Sequence, residues 1–260
     1  MTTISDLGSA PLTGGGAIPL LGFGTWQLSG SSAHDSTAAA LAAGYRHIDT
    51  ATGYGNEAEV GAALRESGVP RTEVFVTTKL PPDHGGRERR TLTESLSALG
   101  VDQVDLWLIH WPPGGAGVSM WRELVRARED GLAAAIGVSN YSLEQIDELT
   151  SATGVTPAVN QIKWGPFLYD HKTFTGHQER GVVLEGYSPF RSGPLDDPTL
   201  VSIAADLGRT VPQVIVRWHV QHGIVVIPKS ARADRIVSNA DVTGFELTEE
   251  QMTRIDGLGR

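Results

Sequence analysis

Apolar residues in this chain come in short dense runs, and each run closes on a polar or ionisable residue. The runs are PLLGFGT (19–25), YRHID (45–49), VFVTTK (74–79), VDLWLIH (104–110), AAIGVS (134–139), PAVNQI (157–162), VVLEGY (182–187) and GIVVIPK (223–229). Most are nearly continuous in apolar residues, as parallel strands buried on both faces should be. Segments of helical character lie between them. Asn56 with Glu59, Ser142 with Gln145, and Thr248 with Gln251 have capping-box spacing. Pro212 sits where a first helical turn tolerates proline, and Gly223 where that helix should end. GGGAIP near the N-terminus reads as a turn, and a hairpin closing a barrel floor is expected there.

Eight strands, each followed by a helical segment, describe a (β/α)8 TIM barrel, with an open doubly wound α/β sheet as the competitor. No linker, low-complexity block or charge run divides the chain, so 1–260 is expected to be a single domain. The strand ends favour the barrel. They read Thr25, Asp49, Lys79, His110, Ser139 with Asn140, Gln161, Tyr187 with Ser188, and Lys229 with Ser230. Barrels place their chemistry on that rim. Ser and Asn also cap helices, which explains part of the pattern. Lys79 and His110 are poor turn residues, and capping does not account for them.

Composition narrows the chemistry. An apolar fraction of 40% is ordinary for a globular protein. The absence of cysteine excludes disulfides, thiolate metal sites and cysteine nucleophiles. A net charge of -9 argues against nucleic-acid binding, which needs a basic face. MTTISDLGSA has neither a basic start nor an apolar run, and no stretch is apolar enough to span a membrane. A cytoplasmic enzyme with no membrane or nucleic-acid partner is therefore expected, and nothing in the chain argues against a monomer. GFGTWQ (22–27) lacks the third glycine of a dinucleotide fingerprint. His47 and Asp49 share a strand, but the expectation is no metal.

The stretches GYRHIDTATGYGNEAEVG (44–61), VFVTTKL, DLWLIHWP, AIGVSN, PAVNQI and IPKS, in this order, resemble the aldo-keto reductases over nearly the whole chain. The resemblance runs toward the short bacterial branch that includes 2,5-diketo-D-gluconate reductases. It implies reduction of aldehydes or ketones to alcohols by hydride from NADPH, with NADH disfavoured and a small carbonyl compound as substrate. It also implies a catalytic tetrad of Asp49, Tyr54, Lys79 and His110. The residue types suit that task. A free phenol is a weak acid at neutral pH, and a neighbouring ammonium favours its ionised form. Lys79 would supply that charge, Asp49 would hold Lys79, Tyr54 would give the proton and His110 would orient the carbonyl.

For the cofactor, the resemblance assigns the nicotinamide to Tyr187, and its carboxamide to Ser139, Asn140 and Gln161. Gly24, Thr25, Trp26, Ser188 and Phe190 would border the same dinucleotide, and the small, glycine-containing loop SPFRSG (188–193) suits approach to its pyrophosphate by backbone N–H groups. Lys229, Arg232 and Arg235 gather positive charge after the last strand, where a 2′-phosphate would sit, and the chain keeps Lys229, Ser230, Arg235 and Asn239 of the family pattern there. Trp26 and Trp111, with Tyr54 and His110, would border the substrate. The chain departs from the family at Ser238, where many relatives carry an acid, at Pro81, and at Lys163–Pro166. It also ends at GLGR without a long C-terminal substrate loop. An open, weakly selective pocket is expected. Two other readings remain open: a barrel lyase forming a Schiff base on Lys79 or Lys229, and a redox sensor that binds NADPH without turnover.

Overall fold

The computed structural model describes residues 4–259. Met1–Thr3 and Arg260, which belong to the N-terminal stretch read for a leader and to the GLGR end, lie outside the described residues. The strands are β1 (Ser9–Pro11), β2 (Ala17–Pro19), β3 (Phe23–Gly24), β4 (His47–Asp49), β5 (Phe75–Leu80), β6 (Val104–Ile109), β7 (Ala133–Ser139), β8 (Val159–Lys163), β9 (Val183–Tyr187) and β10 (Val225–Ile227). From β3 to β10 they run parallel, each hydrogen-bonded to its sequence neighbour in an eight-stranded sheet.

The first and last of these strands meet. Leu21 bridges Val226 in parallel. Gly22 N donates to Val226 O at 2.9 Å, Val226 N to Leu20 O at 2.9 Å, and Gly24 N to Pro228 O at 3.1 Å. Those bonds close the sheet into a (β/α)8 barrel and exclude the doubly wound alternative. Close approach at the seam demands glycine. A Cβ on Gly22 would lie 2.5 Å from His47 Nδ1 inside the barrel.

Helices α1 (Ser31–Ala42), α2 (Glu57–Glu66), α3 (Glu88–Leu99), α4 (Val118–Glu129), α5 (Leu143–Thr153) and α6 (His171–Glu179) occupy the successive crossovers. Two helices, α7 (Pro198–Leu207) and α8 (Val211–Gln221), connect β9 to β10. The helices α9 (Ala233–Ala240) and α10 (Glu249–Asp256) follow the last strand. The central strands supply the core: Val104, Leu106, Trp107, Leu108 and Ile109 of β6 are all fully buried. Each such side chain contributes about 1.5–3 kcal/mol by leaving water. Among the described residues no helix is long and apolar enough to cross a membrane.

The strands β1 and β2 form an antiparallel hairpin, with Ala10 opposite Ile18. Thr13 Oγ1 at its tip donates to Gly181 O at 2.6 Å, just before β9 begins. The hairpin therefore covers the floor, opposite the strand ends that carry the polar residues.

Ser142 and Thr248 make the capping boxes their spacing predicts. A further box, Thr210 with Gln213, starts α8 ahead of Pro212. Asn56 does not cap α2 with its side chain. Its amide instead accepts from Thr50 Oγ1 at 2.8 Å and donates to Thr25 O at 3.0 Å and Leu28 O at 2.9 Å. A fully buried amide has more to gain from three such bonds than from one cap. The loops after β3 and β4 are clamped together as a result.

Candidate active site

The site is built from the ends of neighbouring strands. Asp49 is the last residue of β4, and Lys79 lies one residue before the end of β5. Tyr54 ends a tight turn, Thr52–Tyr54, that is closed by Gly55 at φ 65°. That left-handed conformation favours glycine. The turn is anchored from below. Thr52 Oγ1 and Ser95 Oγ lie 3.0 Å apart. Glu57, which the sequence reading passed over, accepts from Ser95 at 3.0 Å and from Thr78 at 2.6 Å.

These elements bring three members of the expected tetrad into bonding distance. Lys79 Nζ donates to Asp49 Oδ1 at 2.7 Å, to Thr50 O at 2.8 Å and to Tyr54 OH at 3.3 Å. Lys79 is fully buried and Asp49 nearly so. The fourth member, His110, meets Tyr54 edge to face with ring centroids 5.6 Å apart. Tyr54, His110 and Asp49 all face a cavity of about 430 Å³ at the barrel mouth. Lys79 lies behind them.

Electrostatics follow from burial and from that ammonium. Burial alone would discharge Lys79, but Asp49 and Tyr54, with Glu185 further off, raise its pKa above the ordinary lysine value. Burial takes His110 down to about 3, and Lys79 pushes the same way, so the imidazole is neutral. Tyr54 differs from expectation. Its pKa lies above the usual phenol value, because burial raises it by more than Lys79 lowers it. In this structure the phenol is therefore protonated at neutral pH, and the ammonium moderates its acidity without reversing the effect of burial.

The residues assigned to the nicotinamide also converge. Ser139 Oγ donates to Gln161 O at 2.8 Å. Asn140 Nδ2 donates to Ser139 Oγ at 3.0 Å and to His110 O at 3.1 Å. Tyr187 OH donates to Asn140 Oδ1 at 2.9 Å. Gln161 Nε2 donates to Asp49 Oδ2 at 2.8 Å, so its amide is joined to the tetrad. Asn140 and Ser188 adopt positive φ, 64° and 53°. Such backbone conformations cost free energy in non-glycine residues and cluster at functional sites. All five residues, with Gly24, Trp26, Trp111, Phe190 and Lys229, line the same cavity.

Other expected residues stand apart from the cavity lining. Thr25 is fully buried, and its Oγ1 donates to Asp49 O at 3.0 Å. Ser230 is buried and accepts from Arg232 N at 3.0 Å. Asn239 is buried on α9, whereas Arg235 on the same helix is exposed. Arg232 is paired with Asp234 at 2.6 Å in the open.

Sequence reasoning missed Gln27 and Ile227 in the lining, where Gly53, Pro189 and Arg191 also stand. Arg191 belongs to the loop SPFRSG (188–193). Its guanidinium lies 5.9 Å from the Trp26 ring, across the mouth. Trp26 and Trp111 are both about half exposed there, in keeping with an open entrance.

The chain and its fold have counterparts among known proteins. The model of the Aldo/keto reductase family matches residues 20–260. An aldo-keto reductase of Mycolicibacterium vanbaalenii is 45% identical over 263 residues, covering 99% of this chain and 94% of its own. One from Mycolicibacterium smegmatis is 47% identical over 246 residues, covering 93% and 87%. The crystal structure of an aldo/keto reductase from Brucella melitensis superimposes with a TM-score of 0.94 at 39% identity, over 99% of this chain and 100% of that one. The aldose reductase of Schistosoma japonicum does so with a TM-score of 0.90 at 29% identity, over 97% and 93%. None of these four is named as a 2,5-diketo-D-gluconate reductase.

Proposed function

Because this chain belongs to the aldo/keto reductase family, whose members are oxidoreductases that use nicotinamide cofactors on carbonyl substrates, we propose that it reduces aldehydes or ketones with NADPH, with Tyr54 as the proton donor. The observation that carries this reading is the position of Lys79 Nζ, bonded at once to Asp49, to Thr50 O and to Tyr54 OH. A carbonyl oxygen in the cavity would lie between the Tyr54 hydroxyl and the neutral His110 ring. His110 can donate one hydrogen bond and so orient the oxygen. Tyr54 gives its proton as negative charge develops there, and the phenolate left behind faces the ammonium. Asp49 and the Thr50 carbonyl keep that ammonium in place.

The donor set suits a nicotinamide dinucleotide. Amide-binding side chains, Ser139 and Asn140, stand beside an aromatic, Tyr187, on the cavity wall. Beyond them come Lys229, which also lines the cavity, then Ser230 and the exposed Arg235. These residues would hold the cofactor, which supplies the hydride when bound. Arg235 favours a 2′-phosphate because a guanidinium binds phosphate with paired hydrogen bonds. The Schiff-base alternative fits poorly at Lys79, whose amine is held charged by three oxygens rather than free to attack.

Tyr54→Phe is expected to lower kcat for carbonyl reduction by roughly 10²–10⁴. NADPH affinity, read by fluorescence titration, should hold. Wild-type turnover in that variant would end the assignment. Arg235→Met is expected to raise KM for NADPH about tenfold, the loss of one charge-assisted contact, with KM for NADH little changed. Equal effects on both cofactors would remove the phosphate role.

A further inference from the structure

Below the tetrad the barrel encloses a second acid and base, Glu185 on β9 and His47 on β4. Both side chains are fully buried, and His47 Nε2 stands 3.7 Å from Glu185 Oε1. Thr77 Oγ1 lies 3.2 Å from the same ring nitrogen. Neither oxygen of Glu185 has a hydrogen-bond partner, nor has His47 Nδ1. Gln161 is opposite Glu185 in the register of β8 and β9. Its Nε2 is committed to Asp49, and it meets Glu185 only loosely.

A charged carboxylate without hydrogen bonds is among the costliest groups to bury, and such a group takes up a proton instead. We propose that Glu185 is a positioning residue: an uncharged carboxylic acid, packed beside a neutral His47, that keeps the Lys79–Asp49 pair free of a second negative charge. This role rests on the carbonyl-reductase reading of the site above it.

The surroundings of Glu185 can be enumerated. From β4 it faces His47 and Asp49, and from β5 it faces Lys79. Gln161 faces it from β8, and its register partner on β10 is the uncharged Val225. Burial lifts its pKa to about 8, Asp49 adds to the rise, and Gln161 and Lys79 oppose it. Burial takes His47 to about 3, with Lys79 pushing the same way. At neutral pH both groups are uncharged. Of the groups that face Glu185, Lys79 then carries the positive charge and Asp49 the negative one. Should Glu185 ionise, its charge would compete with Tyr54 for the field of Lys79. The phenol would become a weaker acid and proton delivery would slow.

The test reads protonation and catalysis separately. Infrared difference spectra of the whole protein, wild type against Glu185→Gln, are recorded between about pH 6 and 9. The wild type should show the carbonyl stretch of a protonated acid, fading as the pH passes about 8, and E185Q should lack it. Glu185→Met, apolar and similar in size, provides the same assignment should the amide not fold. For NADPH-dependent reduction of an aldehyde, wild-type kcat should fall roughly tenfold across the alkaline limb, the effect of about one pKa unit. E185Q should lose that limb. Absence of the band at neutral pH, or an alkaline limb unchanged in E185Q, would overturn the proposal. A wild type without any carbonyl turnover would overturn the reductase reading and this role with it, whereas the infrared result stands or falls on its own.

Discussion

The barrel interior holds two acid–base couples that differ in how they are satisfied. Asp49 accepts from Lys79 at 2.7 Å and from Gln161 at 2.8 Å. Glu185, also buried, accepts no hydrogen bond and meets His47 at 3.7 Å. The first couple keeps its charges because hydrogen bonds replace the water each ion has lost. The second does not, and the cheaper state is two neutral groups. Burial alone therefore does not set the charge of an interior carboxyl; the donors around it do.

Substituting amides for the two acids separates the couples most sharply. Asp49→Asn should leave Lys79 buried without a counter-charge and cost about 3–5 kcal/mol in urea unfolding. E185Q replaces one neutral group by another and should cost about 1 kcal/mol or less at mildly acid pH. Equal costs would mean that both acids are charged, and the contrast would fail.

The pH dependence of stability gives the next largest effect. Glu185 has a folded pKa raised from 4.5 to about 8. Its contribution is fully present below 4.5 and is lost as the pH rises toward 8. His47 runs the other way. Its folded pKa is depressed from 6.5 to about 3, so its contribution is present above 6.5 and is lost as the pH falls toward 3. Thermal melts should show decline on both sides. E185Q should flatten the alkaline side alone, and an unchanged alkaline slope would contradict a protonated Glu185.

The smallest effect is expected outside the barrel. Arg232 and Asp234 are paired at 2.6 Å but both are well exposed. Water and salt screen such pairs. Arg232→Met should leave Tm unchanged within error, and a clear drop would show that exposed pairs count here as interior ones do.

Much of this arrangement was legible in the chain. The dense apolar runs marked the eight barrel strands, and their polar ends marked the rim, because a buried parallel strand tolerates ionisable groups only where it leaves the core. The resemblance carried by GYRHIDTATGYGNEAEVG implied that Asp49 and Tyr54 both meet Lys79, and each is bonded to its ammonium. Other features were not legible. Asn56 looked like a helix cap but became a clamp between loops, since its partners Thr25 and Leu28 lie far away in sequence. The pairing of Arg232 with Asp234, two residues on, was not read from the sequence either. The sign of the Tyr54 shift depended on burial that no local pattern reports.

Glu185 marks the limit most clearly. In a run such as VVLEGY, apolar on both faces, no alternation tells which way the acid points. The order of strands and the residue types at their ends are determined by the sequence, because periodicity and the cost of burying charge act locally. Tertiary structure alone decided which buried acid met donors and which did not. Hydrogen-bond partners inside a barrel come from strands far apart along the chain, and closure of the sheet brings them together.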